Sequence, residues 1–63
     1  MDGERAQLTS VATGLDELIE RVDAGATRLR EAHRDDLASD LYEVERSLEA
    51  AQRRLASLLR QLR

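Results

Sequence analysis

Apolar residues in the C-terminal half fall at Leu37, Leu41, Val44, Leu48, Ala51, Leu55, Leu58 and Leu62, spaced alternately by four and three. That spacing fills the a and d positions of a heptad repeat without a gap. It predicts a helix packed lengthwise on another helix. The N-terminal half carries a second seam at Leu8, Val11, Leu15, Leu18, Val22, Gly25, Leu29 and Ala32. Its one flaw is Gly25, a d position with no side chain. Gly14 and Gly25 each weaken a helix interior by about 1 kcal/mol relative to Ala.

The two seams are out of phase. Continuing the first would place its next a position at Asp36, whereas the second has its own at Leu41. A single continuous helix would turn its apolar stripe away at that point. A break between Ala32 and Leu37 removes the conflict, and the charges agree with it. Arg28, Arg30, His33 and Arg34 lie where a first helix would end, and Asp35, Asp36 and Asp40 where a second would begin. Cations suit a helix C-terminus and carboxylates an N-terminus. Asp35 or Asp36 is the expected N-cap of the second helix. Asp2, with Glu4 behind it, can open the first, and Thr13 marks an alternative, later start.

The expected fold is therefore all-α. It is an antiparallel two-helix hairpin with helices over about 4–33 and 36–62, a frayed start over 1–3 and a turn near 33–36. The whole of 1–63 forms one domain. Short connections make neighbouring helices antiparallel. One register pairs Gly25 with Leu48 and Val22 with Ala51, setting small against large. A second pairs Gly25 with Leu41. Two rival topologies stay open. One breaks at Gly25 and runs a long helix from Thr27 to Leu62. The other is a continuous helix in a parallel coiled coil, which the absence of Gly and Pro from Glu31 to Asp36 permits.

The apolar stripe is wider than two helices need. Ile19 and Leu59 fall at e positions beside the seam, with Ala12 and Ala26 on the same side of the first helix. A stripe of a, d and e marks a bundle face. An isolated hairpin would leave Ile19 and Leu59 partly wet, so they are candidate partner-binding residues. Leu62 at the end of the seam and Tyr42, just off it, join them. Scattered surface apolar residues are normal, but length tips the balance. A chain of 63 residues buries only about 60% of its unfolded surface, so it usually needs a partner. The commonest solution is a homodimer forming a four-helix bundle.

Charge adds a second candidate. Arg46, Arg53 and Arg60 are seven apart and line the outer f stripe of the second helix, with Arg54 and Arg63 nearby. Such a stripe could contact phosphates of a nucleic acid or nucleotide. Against it stand a net charge of −3 and a single aromatic residue, Tyr42, which leaves little for base stacking. Nucleic acid is thus not the expected partner, and the stripe reads first as a solvated face. Asp16, Glu17, Glu20 and Asp23 make an acidic patch on the first helix, a solubilising surface or a docking site for a basic partner.

Catalysis finds no foothold. There is no Cys and no Lys, and the one His, His33, has no Ser placed to form a nucleophile pair. His33 and Asp36 alone do not make a metal site. No cofactor is expected. No apolar run approaches the roughly 20 residues of a membrane span, and no signal peptide is evident. The reading is a cytoplasmic, non-catalytic interaction module, an adaptor or regulatory subunit that recognises itself or a helical partner through its apolar face.

Overall fold

The structure, a computed structural model, describes residues 2–62. Two helices, α1 (Asp2–Glu31) and α2 (Asp35–Gln61), pack against each other as a hairpin. The result is a rod of 48 × 15 × 10 Å. Gly25 lies well inside α1, so neither the break at Gly25 nor the continuous helix occurs. Gly3 is helical, which moves the expected frayed start out of 2–3, and Met1 lies outside the described residues. Thr13 is not a cap. Its hydroxyl donates to the carbonyl of Thr9 (3.2 Å), as Thr9 does to Arg5 (2.8 Å). This back-bonding lets a hydroxyl residue stay in mid-helix.

The turn is tighter than expected and occupies residues 32–34. The amide of His33 donates to the carbonyl of Arg30 (3.0 Å) and that of Arg34 to Leu29 (2.8 Å). With His33 at φ 62°, this is a Schellman motif, which closes the last carbonyls of α1. Gly usually holds the left-handed position. Here His does, one of the non-glycine types enriched at positive φ. The break carries no Gly signal for that reason. The N-cap position of α2 is Arg34, without a side-chain capping bond, rather than Asp35 or Asp36. Both aspartates instead occupy the first turn, where they meet the positive end of the helix dipole.

A turn this short brings the two backbones close at once, and only small side chains fit between them. Ala26 (0% exposed) and Ala38 (2%) fill that place, and they are the buried residues among those described. Both are e positions. They rotate each helix so that a and e residues, rather than a and d, line the contact. Most half-buried positions follow accordingly: Leu8, Ala12, Leu15, Ile19, Val22 and Leu29 on α1, Leu41, Glu45, Leu48, Gln52, Leu55 and Leu59 on α2, and Leu62 just past its end. Gly25, Thr27, Tyr42, Glu49, Ala50 and Ser57 are half-buried outside the a and e rows.

The register is also set by the turn. A Cβ on Gly25 would stand 3.2 Å from Cδ2 of Leu41, so Gly25 faces Leu41 and not Leu48. Gln52 Nε2 donates to Asp16 Oδ1. At the open end Arg5 Nη1 donates to the carbonyls of Leu59 (2.8 Å) and Leu62 (2.6 Å). Arg5 thereby places a donor and a cation on carbonyls at the C-terminal end of α2, where helix carbonyls lack partners within the helix.

Candidate interaction face

The rotation of the seam leaves the d residues outside. Val11 (54% exposed), Leu18 (46%), Val44 (47%) and Leu58 (46%) are open to solvent, and Leu37 is exposed near the turn. These rows share one side of the hairpin. On each helix the d row lies to the same hand of the a/e contact, seen from that helix's own N-terminus. Reversing one helix brings both rows to a common face. A groove around Gly25 lies on the d side of α1. It is open, of about 510 Å³, and is lined by Leu18, Val22, Gly25 and Leu41 together with Arg21, Ala24 and Arg28, whose Nη2 is 3.6 Å from where a Gly25 Cβ would stand. Gly25, lacking a side chain, is what hollows it.

The opposite side of the hairpin is polar. Asp23 on α1 and Glu45, Glu49 and Gln52 on α2 lie together there, beside the Asp16–Gln52 bond. Glu45 is half-buried at an e position of the seam itself. Its carboxyl is raised above the ordinary carboxylate value, first by withdrawal from water between the helices. The charges of Asp23 and Glu49 and a hydrogen bond with the Asp23 side chain add to this. Among the described residues, no group of three or more His, Cys, Asp or Glu side chains is placed to hold a metal ion.

The expected partner-binding residues separate. Ile19 and Leu59 are half-buried at e positions of the seam. Leu62 is half-buried at the open end, and Tyr42 is half-buried beside the seam near the turn. The large apolar side chains that the hairpin does leave exposed are Val11, Leu18, Leu37, Val44 and Leu58, which the heptad pattern alone assigns to its interior. The signal that could have found them is the pair Ala26 and Ala38, small residues flanking a short turn on the e side.

Arg46, Arg53, Arg54 and Arg60 are all exposed. Arg46 Nη2 is bonded to Glu43 Oε1 (2.8 Å), which ties the first member of the stripe to its own helix. All four residues of the acidic patch are exposed, and two of them also reach α2, Asp16 through its bond with Gln52 and Asp23 beside Glu45. His33 is exposed in the turn, and Asp36 pairs with Arg34 (3.7 Å) rather than with it. Among the described residues, no helix is long and apolar enough to cross a membrane. No known protein family, curated protein or solved structure matches the chain.

Proposed function

We propose that the protein is a small non-catalytic interaction module, an adaptor or regulatory subunit, that works by docking the apolar face of its hairpin on another helical surface. Self-association into a four-helix bundle is the form of docking we favour. The observation that carries this reading is the one-sided exposure of Val11, Leu18, Val44 and Leu58 on a hairpin whose interior contains little beyond Ala26 and Ala38.

The area supports it. A compact monomer of 7.1 kDa exposes about 4,100 Å² by the scaling of folded chains, against 4877 Å² here. The surplus, about 800 Å², equals one partner's share of a standard stable interface. Heptad pattern supports it as well. In a four-helix bundle each helix packs on two neighbours, and beside the a and e residues used within the hairpin each helix keeps a d row that is apolar apart from Gly25.

Sedimentation equilibrium of the full chain tests the reading. A dimer is expected at micromolar concentration, shifted to monomer by the paired changes Leu18→Asp and Val44→Asp. A well-folded monomer throughout that range would sink self-association and leave a different helical protein as the partner.

A second reading draws on Arg53, Arg54 and Arg60, which are exposed and, among the described residues, in no ion pair. It takes the protein as a nucleic-acid- or nucleotide-associated regulator. Binding to a single-stranded oligonucleotide that weakens steeply with salt, and fails on Arg53→Glu with Arg60→Glu, would establish it.

A further inference from the structure

We propose that the occupant of the apolar face is a second copy arranged about a two-fold axis parallel to the helices. Both turns then lie at the same end, α1 of each copy lies over α2 of the other, and Arg28 pairs with Asp40 across the interface. This rests on the reading of that face as a self-association surface and adds its geometry.

Levels along the rod are known from the hairpin itself. Gly25 stands beside Leu41, Asp16 beside Gln52, and Arg5 beside Leu62. An axis parallel to the helices keeps those levels. It therefore sets the d rows opposite one another as Val11 with Leu58, Leu18 with Ala51, Gly25 with Val44, and Ala32 with Leu37. Three of these four layers put a small residue against a large one, as close packing requires. The groove above Gly25 becomes the hole that receives Val44 of the second copy.

The rim agrees. The g residues flanking the d rows are Gln7, Gly14, Arg21 and Arg28 on α1, and Asp40, Ser47, Arg54 and Gln61 on α2. At matching levels they face as Arg28 with Asp40, Arg21 with Ser47, Gly14 with Arg54, and Gln7 with Gln61. No like charges meet, and Arg54 finds space over a glycine. Within one copy, among the described residues, neither Arg28 nor Asp40 is in an ion pair.

The rival arrangement has its axis across the helices and the turns at opposite ends. It lays α1 over α1 and brings Arg28 level with Gln7 and Asp40 near Gln61. Its rim contains no opposite-charge pair. Charge complementarity at a rim sets orientation more than affinity, and it selects the parallel axis here.

The native sequence has no Cys, so His33→Cys gives one label site in the turn of each copy. Spin labels there, read by pulsed dipolar spectroscopy on the dimer, are expected within about 25 Å, given interaxial spacings of 8–10 Å. The rival arrangement separates them by nearly the 48 Å length of the rod. Sedimentation equilibrium supplies the second measurement. Arg28→Asp or Asp40→Arg alone should weaken the dimer about tenfold, since each is repeated by symmetry, and the two together should restore it to within about threefold. A label distance near the rod length, or charge reversals that do not rescue one another, overturns the arrangement and leaves self-association standing. A folded wild-type monomer overturns self-association itself.

Discussion

A Cβ placed on Gly25 would stand 3.2 Å from Cδ2 of Leu41, tighter than nine in ten real contacts of that kind. Gly14, on the same helix, has nothing within 4 Å of its missing Cβ. The two glycines therefore separate intrinsic helix propensity from packing. Gly14→Ala should stabilise the protein by about 1 kcal/mol, the propensity difference in an open helix. Gly25→Ala gains the same propensity but must displace the end of Leu41, and it should gain less than half as much. Urea unfolding followed by circular dichroism at one fixed protein concentration compares them.

Neighbouring positions should behave in opposite ways. Ile19 is half-buried in the seam and Leu18 is exposed beside it. Ile19→Asp places a carboxylate between the helices and should destabilise the hairpin by roughly 2–4 kcal/mol, with loss of helicity at every concentration. Leu18→Asp should leave the helicity of the hairpin in place and weaken association only. Equal helicity loss from both would mean that the contact is not made by the a and e rows.

His33 holds the left-handed position of the turn at φ 62°. Gly adopts this conformation without the clash that costs an L residue about 1 kcal/mol, although it loses more chain entropy on folding. His33→Gly should raise stability by about 0.5–1 kcal/mol, read as a higher urea midpoint with an unchanged slope. A fall in midpoint would show that the imidazole itself supports the turn.

Glu45 makes the hairpin respond to acid in an unusual direction. Its folded-state pKa is raised by loss of water, by the charges of Asp23 and Glu49, and by the hydrogen bond with Asp23. The folded state therefore binds a proton more readily than the unfolded chain. The stability this group contributes is complete below the unfolded value of about 4.5 and is lost as pH rises through the folded value. Wild-type protein should gain stability from Glu45 as pH falls from 7 towards 4.5, and Glu45→Gln should flatten that slope. Thermal melts across this range test it, with Asp16 and Gln52 left intact so that the neighbouring bond is constant.

Arg5 joins the two ends of the chain by donating to the carbonyls of Leu59 and Leu62. Arg5→Ala removes both a donor and a cation from the C-terminus of α2. The amide of Leu62, which donates to Leu58 (3.1 Å), should then exchange about two- to fivefold faster with solvent, the range expected for a cation at a helix end. Amides near Ala26 and Ala38 should not change.

Much of this molecule is written in the chain. The alternation of fours and threes in Leu37–Leu62 specifies a helix, because only a 3.6-residue period gathers those positions on one side. The phase conflict with the seam ending at Ala32 specifies two helices, because one helix cannot face a neighbour in two directions. The charges at 28–36 mark where they divide. Tertiary structure decided which side of each stripe meets the other helix. An a, d and e stripe offers two contacts of similar apolar content, and nothing local ranks them. The short turn ranks them, since the backbones converge where only Ala26 and Ala38 fit. That choice half-buries Ile19 and Leu59, turns Val11, Leu18, Val44 and Leu58 outward, and moves Gly25 from Leu48 to Leu41. The face through which we propose the protein works is thus a consequence of three residues, Ala32 to Arg34, whose left-handed histidine gives no sign of itself in the pattern.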